Sequence, residues 1–324
     1  MVSSEGAKMM PNPWVRPYVL TAGRTRTKQR LLVETLVSVP HYDPQVAASL
    51  LPESRALYEL AGRTMSVAEL SAHSKIALGV TRVLIGDLAA NHLVAVHSTA
   101  HSDRDNVIPS LTLERIRNGL AAHSDEPTQV PTSQAISAKI VVAGGFGVGK
   151  TTLVGSVSEI PPVNTEAWMT QAGKRVDALE SGSQKTTTTV AMDFGRISID
   201  RDLVLYLFGT PGQPRFWFLW DDLCRGAIGA LVLVDTRNLE VSFPAVNYFE
   251  NDSDLPFVVG VNLFDGQLWH DLDAVREALA LKPEVPMITV DDARHRRSSA
   301  QALMEVVTHT LNLRNDGAGV PAGR

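Results

Sequence analysis

Gly144-Gly145-Phe146-Gly147-Val148-Gly149-Lys150-Thr151 is the stretch that decides the fold, because it reads G-x-x-x-x-G-K-T, the phosphate-binding loop pattern. It follows a short β-rich run at 138–143 and precedes residues 152–157, which suit the start of a helix. Glycines allow backbone torsions that a Cβ forbids, so N–H groups can converge on phosphate oxygens at a helix N-terminus. A glycine-rich turn without a ligand is the alternative, and the strand–loop–helix context favours the phosphate site.

Two side chains of this loop have predicted roles in nucleotide chemistry. Lys150 would neutralise charge on the β- and γ-phosphates, and the Thr151 hydroxyl would ligate Mg²⁺. The predicted nucleotide contacts of the loop are Gly144, Gly145, Phe146, Gly147, Val148, Gly149, Lys150, Thr151 and Thr152.

Composition excludes several classes of protein. The chain has 324 residues, of which 44% are hydrophobic and 20% charged, a globular mix long enough for two domains. A formal net charge of −5 argues against unspecific binding to nucleic acid or to membrane surfaces. The single cysteine, Cys224, excludes an internal disulfide and a cysteine-based zinc cluster. We expect a protein of the reducing cytoplasm, whose contact with a membrane, if any, goes through a partner.

The chain divides into two predicted domains. A small α+β domain is expected over residues 14–122, and residues 123–136 have the composition of a linker. The phosphate-loop domain is expected over 137–314. We expect residues 1–13 and 315–324 to be disordered, because they are polar and contain proline and glycine.

Two helices and a strand stand out in the first domain. Ser66 is a good helix N-cap, and Glu69 three positions later completes a capping box. A second helix is predicted over 77–91 and a strand over 93–97, and the set resembles a winged helix-turn-helix. Base readout needs several polar side chains on the second helix, which offers only Arg82. Protein docking is therefore favoured over DNA binding, and a structural role is the third alternative.

A threonine-rich segment precedes the next predicted strand of the second domain. In the run Lys185-Thr186-Thr187-Thr188-Thr189, Thr189 has the best register to reach Mg²⁺ and the γ-phosphate, and Thr188 is the second choice. A β-edge that touches no ligand is the alternative.

The run Leu203–Phe208, a predicted buried strand, ends in Gly209-Thr210-Pro211-Gly212-Gln213. Ras-like GTPases carry D-x-x-G-Q at this place. The resemblance implies that the N–H of Gly212 senses the γ-phosphate and that Gln213 orients the attacking water. Gly209 stands where those proteins have aspartate, which leaves the outer-sphere support of Mg²⁺ without its usual residue.

A later strand feeds Asn262-Leu263-Phe264-Asp265, which resembles the guanine motif N-K-x-D with leucine in place of lysine. Asp265 would accept hydrogen bonds from guanine N1–H and the exocyclic amine, and Asn262 would pin neighbouring loops. Ala293 follows the last strand in the place of an S-A-K motif, and its N–H would meet guanine O6.

Strands alternating with helices predict a doubly wound α/β domain with its ligand loops at the carboxyl ends of the strands. The motifs above, in this order, resemble a bacterial Ras-like GTPase close to the MglA-type and to the GTPase of actinobacterial conservon operons. Val15-Arg16-Pro17-Tyr18 with Thr21-Ala22-Gly23-Arg24-Thr25-Arg26 and the helix pair resemble the DUF742 family. The resemblance implies a Roadblock protein and a sensor-kinase-like membrane protein as partners.

These observations predict a cytoplasmic regulatory GTPase that binds GTP or GDP with Mg²⁺ and hydrolyses GTP slowly. Lys150, Thr189 and Gln213 are the predicted catalytic residues, and Thr151 and Thr189 the predicted metal ligands. One alternative is a nucleotide-gated transcription regulator that uses the helix-turn-helix. Another is a nucleotide-binding scaffold with negligible turnover.

Overall fold

A seven-stranded mixed sheet forms the centre of the phosphate-loop domain in the computed structural model, which describes residues 31–100, 108–122, 135–161, 163–167, 190–212 and 219–318. Strands β5 and β6 run antiparallel to their neighbours and the other pairs are parallel. The predicted doubly wound α/β class is thereby confirmed. In spatial order the strands are β10 (Met287–Val290), β9 (Phe257–Asn262), β8 (Gly229–Val234), β4 (Ile136–Gly144), β7 (Leu203–Gly209), β6 (Val190–Asp200) and β5 (Val163–Ala167).

Helices cover both faces of this sheet. They are α5 (Ser110–Ala122), α6 (Lys150–Val157), α7 (Trp220–Cys224), α8 (Phe243–Asn247), α9 (Leu272–Ala278) and α10 (Arg296–Ala318). Short 3₁₀ turns span Leu239–Ser242 and Phe264–Gly266, and a π-helical turn spans Tyr248–Asp252.

Strand β7 shows how the side chains divide between the two faces. Leu203, Leu205 and Leu207 join the core beneath α5, α6 and α10. Its intervening side chains at 204, 206 and 208 point to the opposite face and join a different core. This period of two is that of an extended strand, and burial on both sides explains the continuous apolar run in the sequence.

Residues 31–100 form a compact N-terminal module. It contains a three-stranded antiparallel sheet in the order β2-β1-β3 and four helices. The predicted capping box is present: Glu69 N–H donates to the Ser66 hydroxyl and Ser66 N–H donates to the Glu69 carboxylate. The elements are β1 (Leu36–Ser38), α1 (Pro44–Ser49), α2 (Pro52–Leu60), β2 (Met65–Ser66), α3 (Val67–Ser74), α4 (Leu78–Ala90) and β3 (Ala95–Val96).

Helix α5 belongs by packing to the phosphate-loop domain, although the expected boundary at residue 122 assigns it to the first domain. Its buried side chains join the core shared with α10. Arg115 forms a two-pronged ion pair with Asp200 at the end of β6, at 2.7 and 2.9 Å. The apolar face of α5 is therefore completed by the second domain rather than by the N-terminal module.

The carboxyl-terminal helix is longer than expected. Residues 315–318, which we expected to be disordered, continue α10 to Ala318. The reason is local, because the segment 311–316 contains neither glycine nor proline and so nothing in it stops a helix. In the part of the chain that the structure describes, no helix combines the length and apolar character needed to cross a membrane.

The N-terminal module lies against the face of the sheet formed by β6 and β7. Phe194, Tyr206 and Phe208 pack in one apolar cluster with the module's own core, which includes Leu70 and Ile85. A backbone contact adds to this packing, because Ala100 N–H donates to Ser137 O on β4 at 2.7 Å. The module thus takes the place of a covering helix on this part of the sheet.

Charged groups are buried in this contact. Lys139 on β4 and Glu34 of the module are both fully buried, with 3.1 Å between Nζ and Oε2. Lys139 also donates to the carbonyl of Arg225 at 2.8 Å, whereas the Glu34 carboxylate makes no hydrogen bond to the residues that the structure describes. The charge of Glu34 is therefore balanced by Lys139, and removal of either partner leaves a buried, uncompensated charge.

We predict that Lys139→Met alone lowers the free energy of unfolding by about 3–5 kcal/mol. The double variant Glu34→Leu/Lys139→Met should be at least as stable as the parent, because it removes both charges and keeps apolar volume. Urea denaturation of the full chain measures both, with Arg63→Met as an exposed control. A single variant as stable as the parent would show that the pair is not buried in solution.

Candidate functional site

The phosphate loop lies between β4 and the N-terminus of α6. Gly149 caps α6 with φ 103°, and Gly144 and Gly147 also have positive φ. A Cβ on Gly144 would lie 2.3 Å from the carbonyl oxygen of Leu233, so no other residue fits there. The loop therefore wraps around the helix N-terminus, where backbone N–H groups and the helix dipole favour an anion.

Lys150 is held inside the loop. It is 9% exposed, and its ammonium donates to the carbonyls of Gly144, at 3.0 Å, and Gly145. Burial lowers the pKa of Lys150 to about 8, against the attraction of nearby Asp193. A phosphate close to the loop would supply a second negative charge and favour the protonated form.

The Thr151 hydroxyl, the predicted metal ligand, donates a hydrogen bond to the Asp193 carboxylate on β6. Asp193 faces Gly209, the residue that stands in place of the expected aspartate on β7. A Cβ on Gly209 would lie 3.3 Å from the Cβ and 3.8 Å from Oδ2 of Asp193. A carboxylate on the neighbouring strand β6 therefore lies close to the place that an aspartate at position 209 would occupy.

Gly212 is brought against the phosphate loop, as the motif predicts. A Cβ at this position would lie 2.8 Å from the backbone of Gly145 and from the nitrogen of Phe146. Only a residue without a side chain allows this close approach. The backbone at Gly212 therefore lies directly against the phosphate loop.

Two of the three predicted base-reading residues, Asn262 and Ala293, lie against the phosphate loop. The side-chain amide of Asn262 donates a hydrogen bond to the carbonyl of Val148 at 3.0 Å. Asp265 has a left-handed backbone (φ 56°) and a side chain that is 84% exposed, and one of its carboxylate oxygens lies 3.9 Å from the guanidinium of Arg294. Ala293 is buried near Gly149, with its Cβ 3.8 Å from the place of a Cβ there.

Two arginines shape the loops that carry these residues. The guanidinium of Arg237 lies 3.6 Å from the ring centre of Phe264 and forms a two-pronged ion pair with Asp235. Arg294 forms a two-pronged ion pair with Asp292, and its hydrogen bonds lower the pKa of the Asp292 carboxyl to about 2. Each guanidinium is thus paired with a carboxylate two positions earlier in the chain.

The structure brings most of the predicted residues to one end of the sheet, at the carboxyl ends of β4, β7 and β9. Phe146 is 76% exposed, Thr151 and Thr152 are exposed, and Val148 is buried. Thr188, Thr189 and Gln213 lie outside the described residues, so their roles stay predictions.

Three contacts were not predicted from the sequence: those of Asp193 and Lys139 described above, and the acceptance by the Glu69 carboxylate of hydrogen bonds from Tyr206 and Arg196 on the sheet. Asp193 lies four positions after Thr189, in the first part of the predicted strand. That position near the predicted metal ligand was the signal in the sequence. A lysine inside a buried strand was the signal for Lys139, since an unpaired lysine is almost never fully buried. Glu69 gave no such signal, because the capping box with Ser66 already explains a glutamate at this position.

The residues present fit a magnesium ion bound together with a nucleotide. Mg²⁺ uses one or two protein oxygens plus phosphates and water, and a hydroxyl beside a carboxylate at a phosphate loop supplies that set. Within the described ranges no three His, Cys, Asp or Glu side chains cluster as a metal site of their own. The donor set therefore suits a metal held jointly with phosphate and not a separate metal centre.

Comparison with known families assigns both parts of the chain. Residues 142–313 match a family described as conserved hypothetical ATP binding protein. Residues 9–123 match DUF742, described as a protein of unknown function. The resemblance to a DUF742 domain joined to a nucleotide-binding domain of the Ras-like type is thereby confirmed.

Curated relatives match part of the chain. An uncharacterized protein of Methanocaldococcus jannaschii is 34% identical over 97 residues, which are 30% of this chain and 50% of that protein. The Ras-related protein Rab-11C of Dictyostelium discoideum is 27% identical over 117 residues, 35% of this chain and 43% of its own. The chain thus spans about half the length of the curated relatives it matches.

Two solved structures are similar over 54% of this chain. The G domain of the T. maritima FeoB iron transporter has a TM-score of 0.36 and 15% identity, with 98% of that chain covered. A mutant of the S. thermophilus NFeoB bound to GDP has a TM-score of 0.37 and 18% identity, with 63% of that chain covered.

We predict that Lys150→Met weakens nucleotide binding by at least about a hundredfold, because hydrogen bonds from a charged donor are worth ~1.5–3 kcal/mol each. Methionine keeps the buried volume, so the fold should be retained. Equilibrium titration with a fluorescent guanine nucleotide measures the affinity, with Lys75→Met as a control on the N-terminal module. A folded Lys150→Met protein with the parent's affinity would contradict the site assignment.

Proposed function

The chain belongs to the family of conserved hypothetical ATP binding proteins, and we propose that it is a regulatory GTPase, a guanine-nucleotide switch with slow hydrolysis. The observation that supports this most is the convergence of Gly212 and Asn262 on the backbone of the phosphate loop. The segment of Gly212 would sense the terminal phosphate, and the segment that follows Asn262 would carry Asp265 to the base. A nucleotide spanning both is the ligand that this arrangement suits.

The proposed reaction is phosphoryl transfer from GTP to water. The water oxygen bonds to the γ-phosphorus while the bond from that phosphorus to the β–γ bridging oxygen breaks, and the bridging oxygen leaves with GDP. One proton of the water stays on inorganic phosphate and the other passes to solvent. Lys150 and the N–H groups at the start of α6 stabilise negative charge on the phosphates, and Gln213 orients the water. Efficient transfer also uses a well-placed arginine, and none is assigned here, so slow turnover is expected.

Magnesium, when bound with the nucleotide, supplies electrostatic stabilisation of the phosphate oxygens. Thr151 would hold it directly and Thr189 would join once the terminal phosphate is present. Asp193 would accept a hydrogen bond from a metal-bound water, the role that an aspartate at position 209 would otherwise fill. Its hydrogen bond with Thr151 keeps the hydroxyl oriented before the metal arrives.

Guanine is the proposed base. Guanine presents two adjacent donors, N1–H and the 2-amino group, and a carboxylate such as Asp265 can accept both. Adenine offers neither donor, and a carboxylate that a bound base covers without donating to it costs ~1–3 kcal/mol, or roughly tenfold in affinity. The exposure of Asp265 in the open loop supports a role for this carboxylate toward a ligand and not in the core.

A Roadblock protein and a sensor-kinase-like membrane protein are the proposed signalling partners, on the basis of the resemblance to conservon proteins. Any recruitment to a membrane would run through them. DNA binding is the second candidate for the N-terminal module. The ion pair of Arg82 with Asp222 argues against it, because that arginine is the main readout side chain of α4.

We predict that Asp193→Gly raises the Mg²⁺ concentration needed to retain bound GDP by about 10–100-fold, the usual effect of losing an outer-sphere partner. The double variant Asp193→Gly/Gly209→Asp should restore most of this loss, because it moves the carboxylate across one strand spacing to nearly the same place. Release of fluorescent GDP during magnesium titration is the measurement. Asp252→Asn, an exposed change in a remote loop, is the control.

Two outcomes would overturn the role of Asp193. In one, the Asp193→Gly protein retains GDP at the parent's Mg²⁺ concentration. In the other, the double variant folds but is no better than the single one, which would show that a carboxylate at this place is not what the metal needs.

We predict that the parent prefers GTP to ATP and that Asp265→Asn shifts the preference toward XTP, whose 2-oxo group can accept from the new amide. Competition of the three nucleotides against a fluorescent analogue tests the proposed function, with Asp271→Asn as the control in the same loop. A parent that prefers ATP, or a variant with unchanged preference, would show that Asp265 does not read the base.

A further inference from the structure

The N-terminal module contacts segments that lie next to both predicted nucleotide sensors. On one side it meets α7, which begins eight positions after Gly212. On the other side α3 and α4 lie against β5, which pairs with β6, the strand that begins directly after Thr189.

Helix α7 is tied to the γ-phosphate-sensing segment. The indole N–H of Trp220 donates to the carbonyl of Pro211 at 3.3 Å, one residue before Gly212. Trp220 is 1% exposed and packs on Phe249, so it is anchored in the domain core. A shift of the Pro211–Gly212 backbone would therefore strain or break this hydrogen bond and displace the start of α7.

The other end of α7 is tied to the module. Asp222 accepts from the guanidinium of Arg82 on α4 at 2.9 Å, with both side chains partly exposed. Leu223 is 1% exposed and lies in the apolar cluster that the module shares with β6 and β7. One turn of helix thus joins the sensing segment to α4 through a polar contact and an apolar one.

On the β6–β7 side, the module is held by buried polar contacts. The Glu69 carboxylate accepts from the Tyr206 hydroxyl and from Arg196 at 3.3 Å, in addition to capping α3. Burial and the nearby carboxylate raise the pKa of Tyr206 well above its usual range, so the tyrosine stays a hydrogen-bond donor. The module is thus held on the strands by buried polar contacts, whereas its polar contact with α7 is a part-exposed ion pair.

We infer that the N-terminal module is the nucleotide domain's own switch partner, and that the Arg82–Asp222 contact transmits the nucleotide state from the Gly212 segment to α4. This rests on the proposed function, since it requires a terminal phosphate to be sensed. The partner that reads the switch is in the same chain. Outside proteins would then recognise the state of the module rather than the γ-phosphate segment itself.

Hydrogen–deuterium exchange of the full chain with GDP and with a non-hydrolysable GTP analogue tests this inference. Amides of α4 are expected to differ between the two nucleotides by about two- to fivefold, the size of a part-exposed ion pair. Arg82→Ala and Asp222→Ala should each abolish the difference in α4 and leave the one at 208–212, and the nucleotide affinity, in place. Arg63→Ala, an exposed change on the same module, should keep both differences.

The outcomes separate the inference from the proposed function. A protein that binds neither nucleotide refutes the proposed function and the inference with it. A parent in which 208–212 responds to the nucleotide and α4 does not refutes the inference alone. An Arg82→Ala protein whose α4 still responds as in the parent refutes the proposed route.

Discussion

The placement of the N-terminal module on the phosphate-loop domain depends on the hydrogen bonds and the ion pair made by the Glu69 carboxylate. A buried charge is tolerated only where hydrogen bonds and an opposite charge satisfy it. Glu69 is 3% exposed, and it is satisfied by a backbone N–H of its own module and by Tyr206 and Arg196 of the sheet. The same group therefore starts helix α3 and fixes that helix on the phosphate-loop domain. The second buried pair, Lys139 with Glu34, extends this constraint to the central strand.

Local patterns in the sequence predicted much of the fold and of the site. The phosphate loop, the capping box at Ser66 and the buried run of β7 each depend on neighbours within a few positions, and each is present. The family comparisons confirm the nature of both parts. What the sequence did not predict depends on neighbours far away in the chain. The approach of Asp193 to Gly209 needs the register of β6 on β7, and the pairing of Lys139 needs the docked module.

The docked module also changes how the helix-turn-helix pattern is understood. Seven side chains of α4 are buried, and Arg82 is bonded to the phosphate-loop domain. A helix that enters a DNA groove needs an exposed polar face, and this one packs as part of a core. The pattern of short helices and strands therefore predicted the local structure, and the contacts of α4 favour protein docking over DNA binding. Burial of α4 against its own chain is the physical reason.

The central claim is that one guanine nucleotide occupies the phosphate loop, although the family description names ATP. The most direct measurement is native mass spectrometry of the full chain, mixed with equal concentrations of GTP and ATP and Mg²⁺. The structure predicts one guanine nucleotide per chain, bound together with magnesium, because Asp265 offers acceptors that match guanine. Occupancy by an adenine nucleotide, or by none, would contradict the account.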